Sequence, residues 1–105
     1  MLNRIIITGR LVADPELRHT QSNVAVTSFR IANDRDYGKG DEKETDFFDV
    51  VAWRATAEFI CKYFTKGRMI EVDRRLQTSS WKDKEGNNRV STEILAENAY
   101  FGHSK

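Results

Sequence analysis

Residues 45–64, TDFFDVVAWRATAEFICKYF, change hydrophobic period once, and that change decides the fold. From Thr45 to Trp53 the side chains alternate. Phe47, Asp49, Val51 and Trp53 fall on one face of a strand, and Asp46, Phe48, Val50 and Ala52 on the other. Both faces carry bulky groups, with Phe48, Val50 and Ala52 reading as core or as a subunit contact. From Ala55 to Phe64 the apolar residues Ala57, Ile60, Cys61 and Phe64 recur at spacings of three and four, which is the helical period. Lys66 and Gly67 follow, a basic last turn and a glycine stop.

Around this strand-to-helix switch every other segment reads as strand or turn. Met1 to Val12 contains the run Ile5, Ile6, Ile7, and its interior Gly9 suggests a bulge or tight bend before Asp14-Pro15 breaks the strand. Val24 to Ala32 (VAVTSFRIA) is a second strand, entered from the turn-like Thr20-Gln21-Ser22-Asn23. Asn33 to Glu44 is a polar, charged, glycine-containing loop joining it to Thr45. After the helix, Arg68 to Trp81 and Arg89 to Phe101 are strands joined by the hairpin tip Lys82 to Asn88.

Three strands, a helix and two strands are the element order of an all-β, five-stranded Greek-key OB-fold barrel with one α-helix between strands three and four. A split sheet capped by a helix fits the pattern nearly as well. The 105 residues leave room for one domain, residues 1–105, with a modest core that gains from oligomeric contacts.

Composition narrows the chemistry. With 39% hydrophobic and 31% charged residues, the chain has the make-up of a folded soluble protein. No charged-then-apolar leader and no apolar run of membrane-spanning length is seen, so a cytoplasmic location is expected. Cys61 is the only cysteine and His19 and His103 the only histidines, so there is no disulfide and no zinc-ligand spacing; Cys61 reads as a small buried residue. Gly-rich phosphate loops are absent. Asp46 and Asp49 point to opposite strand faces, and Asp83 and Glu85 lie on a hairpin tip, so neither pair suits acid-base or metal work. No catalytic residue, cofactor or metal is expected, and the chain reads as a binder rather than an enzyme.

The informative pattern is rings beside cations: Arg35, Tyr37 and Lys39 in the loop, Phe47 in the third strand, Trp53-Arg54, and Trp81-Lys82. Single strands expose the flat faces of their bases, and an aromatic ring stacks on any base while a nearby cation satisfies the phosphate. Tyr37 sits where no core is available. Trp81 precedes a charged tip, and Phe47 shares its face with Asp49, which argues against dry core. Trp53 fits core or surface equally. Phe29, Ile31, Phe59, Ile60 and Phe64 read as barrel filling and helix packing. Lys62, Lys66 and Arg68 read as a solvated helix end or as phosphate contacts. Arg10 and Arg75 complete the candidate phosphate-binding set of Arg10, Arg35, Lys39, Arg54, Lys62, Lys66, Arg75 and Lys82. The net charge of only +1 makes placement matter more than total charge.

Several short stretches, in order and spacing, resemble the bacterial single-stranded DNA-binding protein family: Met1-Leu2-Asn3-Arg4, Gly9-Arg10-Leu11, Asp14-Pro15-Glu16-Leu17-Arg18, Thr45-Asp46-Phe47, Trp53-Arg54, Ala57-Glu58, Lys66-Gly67, Leu76-Gln77-Thr78 and Thr92-Glu93. The resemblance covers essentially the whole chain. It implies an OB-fold homotetramer, associated with the nucleoid, that protects single-stranded DNA in replication, recombination and repair. It implies base stacking at Tyr37, Phe47, Trp53 and Trp81, and a subunit contact at Phe48. Arg74 stands where the family usually has glycine, which would strain a bulge or add a cation to an interface. Gln77, Ser79 and Ser80 stand where relatives are often basic, and Asn23 replaces a usual turn glycine. The family's flexible linker and acidic tip are not seen after His103-Ser104-Lys105, so tail-mediated recruitment of other proteins is not expected. The alternatives are a dimeric primosome-type adaptor that uses the barrel for protein contacts, and a single-stranded RNA binder.

Overall fold

The computed structural model describes residues 1–35 and 44–102. Its elements are β1 (Ile5–Leu11), β2 (Arg18–His19), β3 (Ala25–Asp34), β4 (Thr45–Trp53), α1 (Arg54–Tyr63), β5 (Met69–Lys82) and β6 (Asn88–Phe101). The two-residue β2 is an addition to the five strands expected. It pairs Arg18 with Val26 and His19 with Ala25, in a segment too short to show a hydrophobic period of its own.

The strands are ordered β1-β5-β6-β4-β3-β2, and β1 also pairs with β3, so the sheet closes into a ring. One edge of β3 is divided: Ala25 and Val26 take β2, while Ile31 and Ala32 take β1. The only parallel contact among the described strands sets Val50–Ala52 of β4 against Ile94–Ala96 of β6. This is the expected OB-fold barrel, with its helix between β4 and β5.

The alternation foreseen for β4 is realised, with Val50 and Ala52 in the core. They meet Phe29, Ile31, Ile70, Val72, Ile94 and Ala96 from the other walls, and α1 lays Ala57, Ile60 and Phe64 against this cluster. Cys61 is only half-buried, because the inward stripe of α1 is carried by Ala57 and Ile60 and leaves position 61 at its margin. Beyond α1, Gly67 takes φ +87° and donates its N–H to the Leu11 carbonyl at 2.8 Å, while the Lys66 N–H donates to Asp14 Oδ1 at 2.7 Å. Asn23 is left-handed at φ 63°, a conformation that asparagine tolerates better than most residues.

Gly9 is not a bulge, since β1 pairs with β5 in unbroken register through it. A Cβ there would lie 2.9 Å from the Ala32 carbonyl oxygen and 3.0 Å from Ile31 Cβ, so glycine lets β1 close against β3. The β5–β6 hairpin does carry a bulge. Asp73 faces Asn98 but Arg74 faces Ala96, so the extra residue is Glu97 on β6. Thr56 of α1 donates its hydroxyl to the Glu97 carbonyl at 2.9 Å, and the Arg74 guanidinium pairs with the Glu97 carboxylate. Arg74 keeps a negative φ, so the absence of glycine there imposes no left-handed strain.

Thr27 is fully buried on β3, and its hydroxyl has no hydrogen-bond partner among the described residues. Burying an unpaired hydroxyl costs about 1–3 kcal/mol, and valine has nearly the same shape. Thr27→Val is therefore expected to raise unfolding free energy by about 1 kcal/mol in a denaturant melt.

Candidate nucleic-acid interface

Strand register fixes which side chains share a face. Directly opposed residues point the same way, so Arg30 lies beside Asp49, and Val26 beside Trp53. Val51 lies across from Leu95, and Leu95 from Arg75. Counting by twos along each strand places Val26, Ser28 and Arg30 of β3, Phe47, Asp49, Val51 and Trp53 of β4, and Arg75, Gln77, Ser79 and Trp81 of β5 on one outer face. Three of the four rings singled out from the sequence thus share a continuous sheet surface.

The rings are open to solvent. Phe47 is 58% exposed, Trp53 41% and Trp81 50%, while the core phenylalanines Phe29 and Phe64 are at most 8% exposed. Under Trp53, the outer-face residues Val26 and Val51 are buried and give it an apolar floor. Trp81 stands near the end of a 14-residue strand, and no residue of β5 beyond Val72 is buried. Its arm projects from the barrel and has no core of its own. Across the hairpin, Asp83 accepts the Glu85 and Asn87 N–H groups and the Arg89 guanidinium, which brace the tip. The Asn87 backbone N–H is the largest cause holding the Asp83 carboxyl below its ordinary range. Asp83 is therefore charged at neutral pH, and the brace is intact there.

The carboxylate of Asp49, between Phe47 and Trp53, would repel phosphate if left alone. Arg30 Nε donates to Asp49 Oδ1 at 3.0 Å and offsets that charge. Arg18 lies on the same face, opposite Val26, with its guanidinium 3.5 Å from the Ser28 hydroxyl. Arg18 and Arg30 were missed as site residues. The signal for Arg30 was available, because the strand VAVTSFRIA places Val26, Ser28 and Arg30 out of phase with Phe29 and Ile31. Arg18 had none, since β2 is too short.

The expected phosphate-binding cations divide by company. Arg10 Nη1 donates to Asp34 Oδ2 at 2.8 Å. Arg35 grips Asp46 with two hydrogen bonds of 2.9 and 3.0 Å and also reaches Glu44. Arg35 is the main cause holding the Asp46 carboxyl below its ordinary range, so this fork is charged at neutral pH and pins the base of the loop. Arg54, Lys62, Lys66, Arg75 and Lys82 form no ion pair among the described residues. Arg54 and Arg75 adjoin the ring-bearing face and Lys82 follows Trp81, whereas Lys62 and Lys66 lie at the far end of α1. Tyr37 and Lys39 lie outside the described residues. Phe48 is half-buried and lines a cavity of about 310 Å³ with Ile5, Phe47, Leu76 and Ile94.

Arg54 carries backbone strain at the site itself. It begins α1 at φ 57°, left-handed for a non-glycine residue, immediately after Trp53. Such a conformation costs about 1–2 kcal/mol and persists where the surroundings enforce it, most often at functional sites. Arg54→Gly is expected to raise stability by about 1 kcal/mol while weakening oligonucleotide binding. Arg54→Ala keeps the strain and loses the charge, so comparing melts and affinities of the two variants separates backbone from cation.

A closed five-strand barrel with a helix between β4 and β5 defines an OB-fold, here with a solvent-exposed aromatic sheet face. The chain belongs to the single-strand binding protein family, whose model matches residues 2–102. It is 43% identical over 102 residues to the single-stranded DNA-binding protein of Halalkalibacterium halodurans, covering 96% of this chain and 61% of that protein. It is 42% identical over 106 residues to single-stranded DNA-binding protein 3 of Listeria innocua, covering 100% and 66%. A Staphylococcus aureus single-stranded DNA-binding protein matches at 44% over 102 residues, covering 96% and 65%. The chain thus spans between three-fifths and two-thirds of the length of these relatives.

Proposed function

We propose that the protein binds single-stranded DNA without sequence preference, by stacking bases on Phe47, Trp53, Trp81 and the loop residue Tyr37, and protects it during replication, recombination and repair. The observation that carries this reading is the single outer face on which Phe47, Trp53 and Trp81 lie exposed, flanked by Arg54 and Arg75, which form no ion pair among the described residues. Rings supply affinity for any base and cations engage the phosphates, while Gln77 and Ser79 of the same face are hydrogen-bonded to Glu93. The names of the relatives support the same ligand.

The proposed assembly is a homotetramer. In its support, Ile6 and Val90 are each more than 60% exposed and Leu76 is 40% exposed, on a small domain that gains from covering such surface. The half-buried Phe48 lies beside Leu76 in the cavity described above. Native mass spectrometry with and without oligo(dT) tests both parts together. The expected result is a fourfold protomer mass that takes up oligonucleotide. A monomer or dimer that takes up none would overturn the reading and favour an adaptor role. Competition with an RNA oligomer of matched sequence decides between the two nucleic acids.

Because Arg10, Arg30, Arg35 and Arg74 are already engaged by carboxylates, counterion displacement falls to the remaining cations, about six of which adjoin the proposed path. Each phosphate neutralised on a single strand contributes about −0.7 to the log-log salt slope. A slope no steeper than about −4 per protomer is expected in a salt titration of oligo(dT) binding.

A further inference from the structure

A second set of exposed rings lies away from this face, where α1 ends and β5 begins. Phe59, Tyr63, Phe64 and Phe101 touch one another with centroids 4.9 to 6.1 Å apart. Phe64 is buried and closes the core, but Tyr63 is 46% exposed and Phe101 48%. Cations are already drawn over them. Arg68 Cζ lies 5.0 Å from the Phe101 ring centre, and Lys62 Nζ lies 5.3 Å from that of Tyr63. Lys62, Lys66 and Arg68 form no ion pair among the described residues. The acids near them in sequence are Glu58, one turn back on α1, and Glu71, three residues beyond Arg68, while Asp14 Oδ1 accepts the Lys66 backbone N–H.

We propose that Tyr63 and Phe101, with Lys62, Lys66 and Arg68, form a second base-stacking and phosphate site that receives single-stranded nucleic acid leaving the outer sheet face. The inference rests on the single-strand-binding reading above and extends its path.

Geometry makes this site additional to the first. Phe101 pairs with Ile70, eleven residues from Trp81 along β5, which at about 3.3 Å per residue is roughly 36 Å. Helix α1 connects the two regions. Its ten residues, at about 1.5 Å each, carry the chain some 15 Å from Trp53 to Tyr63, with Arg54, Glu58 and Lys62 spaced four apart on one helical side. A strand passing Trp53 therefore meets a cation at each end of that stripe, with the Glu58 carboxylate between them, and then the half-exposed rings of Tyr63 and Phe101, the latter stacked by one face on Phe64.

The chemistry favours a nucleic acid over a protein. An acidic peptide would satisfy the three cations but offers no regular row of flat groups for the rings, whereas a single strand alternates phosphate and base.

The test compares oligo(dT) of about 8 and about 30 nucleotides, the short one sized to occupy one face of an OB barrel. Each oligomer carries iodouracil so that crosslinked residues can be mapped. In the native chain the long oligomer is expected to crosslink to Tyr63 or Phe101 and the short one to Tyr37, Phe47, Trp53 or Trp81 alone. Tyr63→Leu is expected to weaken the long oligomer about tenfold and leave the short one unchanged. Tyr63→Phe keeps the ring and should restore the affinity. Arg68→Gln, which leaves the ring cluster intact, should weaken the long oligomer in the same direction.

No crosslink to Tyr63 or Phe101 with the long oligomer, together with unchanged affinity in these variants, would overturn the second site. Trp53→Ala weakening both lengths would at the same time leave the first reading standing. Should Trp53→Ala change neither length, the sheet-face reading fails by itself, and the crosslinks still report on Tyr63 and Phe101. Poly-glutamate displacing the long oligomer from these two rings at equal charge concentration would show an acidic-peptide site instead, and the proposal would fall.

Discussion

Replacing Trp53 and Trp81 together by alanine lowers the affinity for oligo(dT) by roughly 2–6 kcal/mol at fixed salt, because each ring that stacks one base is worth about 1–3 kcal/mol. Titration of a labelled oligomer by anisotropy measures this. The salt slope should stay nearly constant in the double variant, since no cation is removed and the number of displaced counterions is the same. Folding is little affected. Trp81 lies on a strand arm that buries nothing beyond Val72, and Trp53 is 41% exposed outside the main core cluster. Adding Phe47→Ala should deepen the loss in affinity by about one further stacking contribution, as that ring is the most exposed of the three. A loss that appears only in the salt slope, with affinity at low salt preserved, would assign the binding energy to charge instead of rings.

The second large effect concerns stability. Gly9→Ala is expected to lower unfolding free energy by about 1–3 kcal/mol in a denaturant melt, and Gly9→Val by more. The added Cβ meets the Ala32 carbonyl oxygen at 2.9 Å and Ile31 Cβ at 3.0 Å, and both belong to the buried strand that closes the ring. Neither neighbour is the free end of a flexible side chain, so relief requires the β1–β3 junction to open. Gly67→Ala is the matched control. It has nothing within 4 Å of the added Cβ but sits at φ +87°, so its loss comes from backbone strain alone, about 1–2 kcal/mol. If Gly9→Ala were neutral, the closure of β1 on β3 would be looser than these contacts imply.

Local patterns carried much of the fold. The period change at Trp53-Arg54 placed β4 and α1 to within a residue, and the turn chemistry of Lys82 to Asn88 placed the β5–β6 hairpin. What stayed illegible depends on partners far along the chain. Gly9 looks the same in a bulge as in a close strand crossing, and only the approach of Ile31 and Ala32 distinguishes them. Arg74 was flagged at a bulge, and the bulge is there, but the extra residue is Glu97 on the opposite strand, which no local feature of β5 announces. β2 is held by pairing with Ala25 and Val26, and two residues have no period to read.

The site shows the same division. Phe47 and Trp81 stood out by their polar neighbours, and their exposure in the barrel agrees with that reasoning. Trp53 was undecided from pattern, because a strand end before a helix can face either way; register with Val26 puts it on the outer face. The engagement of Arg10 by Asp34 and of Arg35 by Asp46 could not be read from spacing, since these pairs form across strands. Arg30 was legible in principle, because the polar phase of a half-buried strand tells which of its residues share the outer face.

Both tryptophans of the chain lie on the outer face, so its tryptophan emission reports on that surface alone. The most direct measurement is therefore titration of the unmodified protein with oligo(dT) while following tryptophan fluorescence. Saturable quenching that persists at moderate salt is the predicted result, with Trp53→Phe and Trp81→Phe each removing part of it. Binding seen by anisotropy without any change in tryptophan emission would contradict base stacking as the source of affinity.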